Sequence, residues 1–230
     1  MQVYLKKISA DGNAIDSKHP WTVQRFIDGV MWSSLHIQID GKIRLYTCTK
    51  SQASCFNWEH EENDQVKEWS EKFSEQFTFN GIYTNDFIVD RHDGVAYAIE
   101  CNPRLGSQVS LFHGQENMAD VILGHGKASA IEPPIGIKTY TTLNELFQLL
   151  DPLFYADEEP DVDSYMERVT RFLRTVQSGS DPIFDEDDML PFFMINFFQM
   201  PMLLIDTLTA NRPWKKIDFQ IGKVVEHGGY

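Results

Sequence analysis

The sequence predicts an α+β protein: an antiparallel sheet with packed helices over residues 1–137, then a mostly helical region over residues 138–230. Three observations carry this. Two polar turn signals each sit between strand-like runs, as hairpins require. Between those hairpins Val66, Trp69, Phe73 and Phe77 recur at helical spacing. Beyond Ile137 strand signals give way to helical ones.

The elements follow in chain order. Val3-Tyr4-Leu5 is a short apolar piece that runs into Lys6-Lys7, and polar residues fill Ser9 to Lys18. Trp21 to Ile27 reads as a strand broken by Asp28-Gly29. Trp32 to Ile39 and Lys42 to Thr49 flank Asp40-Gly41, a pair that tolerates the positive φ of a two-residue hairpin turn. Asp64 to Phe77 is expected to be an amphipathic helix. Phe79 to Val89 and Val95 to Asn102 enclose the turn Asp90-Arg91-His92-Asp93-Gly94 and make a second hairpin. Thr142-Leu143-Asn144-Glu145 matches a capping box, in which the first and fourth side chains each satisfy an orphan helical N–H. Leu146, Phe147, Leu149 and Leu150 continue that helix. Val162, Tyr165, Met166, Val169, Phe172, Leu173 and Val176 form a helical stripe expected to face a core.

Met189 to Ile205 is almost wholly apolar. It sits at the short limit for a membrane span, and Pro191, Asn196, Gln199 and Pro201 interrupt it, so a buried helix or helix pair is expected instead.

Composition narrows the function classes. Hydrophobic residues make up 42% and aromatics 13%, a globular rather than disordered balance. A net charge of −14 opposes nonspecific attraction to nucleic acid or anionic lipid. Most of that excess lies between Asp151 and Asp188, with twelve Asp/Glu against three Arg, and reads as solvated acidic surface. Three cysteines, Cys48, Cys55 and Cys101, form no CxxC, which argues against a disulfide framework or thiolate zinc site and for a reducing, cytoplasmic setting. No basic segment followed by an apolar run opens the chain, so a secretory signal is not expected.

The second hairpin carries the chemistry. Strand side chains alternate between faces, so Ala96, Ala98, Glu100 and Asn102 share one face of the second strand. Asp86, Ile88 and Asp90 share one face of the first. If the hairpin closes symmetrically about Asp93, Asp86 lies opposite Glu100 and Ile88 opposite Ala98. Two carboxylates and an amide oxygen then converge on a surface kept open by small alanines. Opposed carboxylates repel unless a cation sits between them, and hard oxygen ligands suit Mg²⁺ or Mn²⁺. The spacing equally allows an exposed acidic strand pair with Asn102-Pro103 opening a loop. Cys101 points to the opposite face and reads as a buried small residue. Arg104, just past Pro103, suits a clamp on phosphoryl charge or an ordinary surface ion pair.

Gly81 to Phe87 and Ala98 to Arg104 together resemble the Asp…Glu-x-Asn-Pro-Arg signature of the ATP-grasp superfamily. By that resemblance the fold is an incomplete ATP-grasp fold. Asp86, Glu100 and Asn102 hold magnesium on the ATP phosphates, and Arg104 faces the transferred phosphoryl group. Pro20 to Gly29 is similar to the family's adenine hinge, where the backbone from Gln24 through Phe26 and Ile27 pairs with the base. Tyr4-Leu5-Lys6 resembles the strand end whose lysine meets the phosphates. Asp181 to Phe184, Leu190 to Phe193 and Ile217 to Glu226 resemble the C-terminal region of the mycosporine-glycine synthase group. Its members are C–N bond-forming ligases that phosphorylate an oxygen of the cyclohexenone 4-deoxygadusol and let glycine's amine displace the phosphate. The resemblance therefore implies a small-molecule acceptor and an amino acid as substrates, and ATP with Mg²⁺ or Mn²⁺ as cofactors.

Four departures accompany it. Met31 stands where the family usually has a ribose-binding glutamate, and Arg25 replaces a common hinge glutamate. Little room remains between Lys6 and Pro20 for a phosphate-covering loop. The chain opens at the lysine strand, so the family's N-terminal domain and one wall of the nucleotide cleft are expected to be absent. The alternative is thus a catalytically incomplete nucleotide-binding or interaction module that requires a partner chain or oligomer.

Overall fold

A computed structural model describes residues 24–50, 57–125, 130–143, 145–146, 149 and 165–210. Lys6, Trp21 to Val23, Cys55 and the segment Ile217 to Glu226 lie outside the described residues.

Strands β1 (Gly29–Ile39) and β2 (Lys42–Lys50) form the first hairpin. Its turn residues Asp40 and Gly41 have φ of 50° and 71°. Such paired positive values give the mirror-image turn whose twist matches that of antiparallel strands. A two-residue strand, β3 (Trp58–Glu59), precedes helix α1 (Asp64–Gln76). Asn63 caps α1 by accepting from the Val66 N–H at 3.1 Å. The second hairpin is β4 (Gly81–Asp90) and β5 (Ala96–Asn102). The four long strands make one antiparallel sheet in the order β2-β1-β4-β5.

Covering elements on both sides explain why Trp32 to Gln38 of central β1 is buried throughout. One face carries Trp32, Tyr46, Cys48, Phe87 and Ala96 under Val66 and Trp69 of α1. Trp69 meets Phe87 edge-on at 5.1 Å between ring centroids, a favoured aromatic geometry. The other face carries Leu35, Ile37 and Leu45, under a short 3-10 helix (Ser107–Phe112) and helix α2 (Met118–Ile122). Strand β6 (Lys138–Thr139) pairs with β3. The expected strand from Trp21 to Ile27 does not form over its described part: residues 24–28 belong to no strand.

Thr142 and Leu143 are helical, and Thr142 Oγ1 and its backbone N–H both donate to Asp181. Helix α3 (Tyr165–Ser178) matches the expected helix, but Tyr165, Met166, Leu173 and Val176 of its stripe are exposed while Arg168 is buried. The helix is tied down beyond its C-terminal end, where Ser180 bridges Thr139 and its N–H donates to the Lys138 carbonyl at 3.1 Å.

The apolar run departs further from expectation. It forms α4 (Leu190–Met194), a wide π turn (Ile195–Gln199) and α5 (Met200–Thr209). Most of its large side chains, Phe197, Phe198, Met202 and Ile205 among them, are exposed rather than buried. Pro201 accounts for the π turn: its ring clashes with the carbonyl four residues back and offers it no N–H, and a wider turn relieves both. Among the described residues no helix is long and apolar enough to cross a membrane.

Candidate metal and nucleotide site

Ladder register decides which side chains meet. Asp86 pairs with Glu100 across β4 and β5, and with Ser33 across β4 and β1. Thr84 pairs with Asn102 and with Leu35. Directly opposed residues share a face, so Asp86, Glu100 and Asn102 come together on the sheet side opposite α1. Between Asp86 and Phe87 the register shifts: Phe87 pairs with Ala98, and Ile99 is left as a bulge. This corrects the symmetric closure. Ile88 lies opposite Tyr97 rather than Ala98. Ala98 and Ala96 turn to the α1 side, and Tyr97 joins the acidic face. Cys101, opposite Asn85, is exposed on the edge strand rather than buried.

Hydrogen bonds hold the centre of this face. Ser33 Oγ donates to Asp86 Oδ1 at 2.7 Å, and Gln108 Nε2 donates to Ser33 Oγ at 2.7 Å. Asn102 Nδ2 donates to Asp86 Oδ2 at 3.4 Å, which leaves Asn102 Oδ1 as the amide's acceptor. Thr49 Oγ1 donates to the Ser33 carbonyl at 3.3 Å. Asp86 is half-buried and Glu100 exposed.

The donor set fits a hard divalent cation. Among the described residues no lysine or arginine forms an ion pair with Asp86 or Glu100, which the ladder register sets opposite each other. No group of three or more His, Cys, Asp or Glu side chains is gathered there or elsewhere among the described residues. The protein therefore offers two carboxylates and one amide oxygen. That is few for calcium, but suits magnesium, which keeps waters and takes phosphate oxygens as further ligands.

One step along the strands, about 7 Å away by strand rise, the same face turns apolar. Met31, Ile88 and Tyr97 are placed side by side by the register, next to the carboxylates. The segment before β1 is fastened beside them. Arg25 Nη2 bonds Asp90 at 3.2 Å and its guanidinium stacks 5.7 Å from the Tyr97 ring centre. The Arg91 N–H donates to the Asp28 carbonyl at 3.1 Å, and the two side chains pair at 3.1 Å. Gln24 is exposed, Phe26 is 87% exposed and Ile27 is half-buried. Arg104 is exposed, with its N–H donating to the Asn102 carbonyl at 2.8 Å. This tight turn follows from the fixed φ of Pro103.

Sequence reasoning missed Ser33, Thr49 and Gln108. Parity along β1 places Ser33 on the face of Leu35 and Ile37, but only the long-range register puts it beside Asp86. Gln108 carries no local signal beyond following the Asn-Pro-Arg run. Burial disfavours the charged form of two histidines near the sheet. Burial lowers His36 to about 3. Burial also lowers His60, whose Nδ1 bonds the Thr47 hydroxyl at 2.9 Å.

No protein-family model and no curated protein matches the chain. Solved structures similar to parts of it include an L-amino acid ligase from Bacillus licheniformis: 23% identity, 38% of this chain and 25% of that one, TM-score 0.28. N5-carboxyaminoimidazole synthetase from Staphylococcus aureus matches at 14% identity over 59% of this chain and 41% of that one, TM-score 0.41. An ATP-grasp superfamily protein from Archaeoglobus fulgidus matches at 23% identity over 50% of this chain and 39% of that one, TM-score 0.34. The chain thus spans between 25% and 41% of the length of these three proteins.

Proposed function

We propose that the chain is the metal- and nucleotide-binding part of an ATP-grasp ligase of the mycosporine-glycine synthase type. The observation that carries the reading is the pairing of Asp86 with Glu100 beside Asn102, within an Asp…Glu-x-Asn-Pro-Arg run. Asp86, Glu100 and the Asn102 amide oxygen would hold Mg²⁺ or Mn²⁺, which neutralises charge on the ATP phosphates. Met31, Ile88 and Tyr97 offer an apolar shelf for the base next to that cation, and the backbone from Gln24 through Phe26 and Ile27 supplies its edge contacts. Arg104 would meet the transferred phosphoryl group, with Lys6 a second phosphate contact.

The reaction this serves is C–N bond formation. An oxygen of a small enone or similar acceptor takes the γ-phosphoryl group as ADP leaves. An amino acid's amine then attacks the carbon bearing that oxygen. The C–O bond breaks, inorganic phosphate departs, and the nitrogen gives up its proton. Positioning and electrostatic stabilisation do most of this work, in a cytoplasmic setting consistent with the cysteine usage.

A second reading is favoured by one observation: among the described residues nothing covers the face, and Glu100 and Phe26 are both exposed. A nucleotide cleft works by enclosure, and in this reading a partner chain or a second copy supplies the covering wall. Incubating the purified chain with Mg-ATP, 4-deoxygadusol and glycine separates the two. ADP, phosphate and aminated product in equal amounts support the ligase acting alone. Magnesium-dependent nucleotide binding without turnover supports the partner-dependent module. Absence of both sinks each reading.

A further inference from the structure

The Asp86 carboxylate is not left to find its own orientation. Ser33, 5% exposed, donates to its Oδ1 at 2.7 Å. A serine hydroxyl has a single proton and rotates freely unless its lone pairs are engaged. Gln108, 3% exposed on the 3-10 helix, engages one by donating Nε2 to Ser33 Oγ at 2.7 Å. With that acceptor site filled, the Ser33 proton is committed to Asp86.

The local chain is shaped for this reach. A Cβ on Gly106 would lie 2.2 Å from Gln108 Oε1 and 2.6 Å from Thr84 Cγ2. The Gln108 amide is therefore folded back over the Gly106 backbone onto the sheet, in space that only glycine leaves. From there a fully connected chain runs from a buried amide to a carboxylate at the rim of the site.

We infer that Gln108, acting through the Ser33 hydroxyl, is a positioning residue that presets Asp86 for the divalent cation. The inference rests on the metal reading above and adds to it a residue outside the signature. Outer partners of metal ligands fix ligand orientation, and their loss typically weakens metal affinity by about 10- to 100-fold.

The test uses Mn²⁺ alone, titrated into the full chain while free Mn²⁺ is read by electron paramagnetic resonance. Wild type, Gln108→Met, Ser33→Ala, Ser33→Thr and Glu100→Ala are compared, each checked for folding by circular dichroism. Gln108→Met and Ser33→Ala should each weaken binding about tenfold or more. Ser33→Thr, which keeps the hydroxyl, should stay near wild type; a purely packing role for Ser33 would not give that rescue. Where Gln108→Met does not fold, the two Ser33 variants decide. Wild-type affinity in folded Gln108→Met or Ser33→Ala, with binding lost in Glu100→Ala, overturns this inference and leaves the metal reading standing. No Mn²⁺ binding by wild type overturns both.

Discussion

His36 makes the protein's stability depend on pH. It sits at the middle of central strand β1, fully buried, stacked 4.7 Å from the Tyr83 ring centre and 5.4 Å from that of Tyr46. Neither ring nitrogen has a hydrogen-bond partner. The Tyr83 main chain offsets a little of the burial effect, though it falls short of a hydrogen bond to either nitrogen. Burial disfavours the imidazolium and holds the folded value at about 3, against 6.5 for the ordinary side chain. The folded state therefore binds fewer protons than the unfolded state throughout the interval between those values. The contribution to stability is fully present above pH 6.5 and is lost as pH falls toward 3. Each pH unit in that window costs about 1.4 kcal/mol, so moving from pH 7.5 to 4.5 costs roughly 2.7 kcal/mol. That is a large share of a typical domain's stability. Urea unfolding of wild type and His36→Leu at both pH values isolates this residue. Wild type should lose about 2–3 kcal/mol more than the variant on acidification. Parallel losses in the two proteins would refute the reasoning.

Two further substitutions probe the sheet. Phe87→Ala removes a fully buried ring from the α1 side, where it meets Trp69. It should cost about 3–5 kcal/mol in urea unfolding, and a loss below about 1 kcal/mol would mean that this core does not form as described. Gly41→Val places a β-branched residue at φ 71°, with its Cβ 3.0 Å from Thr78 Cγ2. It should lower stability by about 1–2 kcal/mol or more, read as a drop in unfolding temperature, and an unchanged temperature would contradict the turn assignment.

Local chemistry made part of this structure legible in advance. Asp40-Gly41 named its own turn, because few other residue pairs accept two positive φ values in succession. The helical spacing of Val66, Trp69, Phe73 and Phe77 located α1 to within a residue. Counting outward from Asp93 brought Asp86 against Glu100, the pairing on which the site depends. Counting failed one step further on. A bulge at Ile99 moves Ala98 and Tyr97 to opposite faces from those that strict alternation assigns. Nothing in the residue types around Ile99 announces it. Ser33 and Gln108 were invisible for another reason: 75 residues separate them, and only the assembled sheet brings them into contact. The stripe from Val162 to Val176 and the apolar run from Met189 to Ile205 pointed to helix, which forms over Tyr165–Ser178, Leu190–Met194 and Met200–Thr209. Neither could indicate burial, because an apolar stripe specifies a preference for cover and not the element that supplies it.

In the proposed function, Asp86, Glu100 and Asn102 form a cation site that recruits a nucleotide. Calorimetric titration of ATP into wild type and Glu100→Ala, each with Mg²⁺ and with chelator, tests it most directly. Wild type should bind ATP in a magnesium-dependent way, and Glu100→Ala should lose at least about tenfold in affinity, equivalent to about 1.4 kcal/mol or more. Equal ATP affinity with and without Mg²⁺, or wild-type affinity in a folded Glu100→Ala, would contradict it.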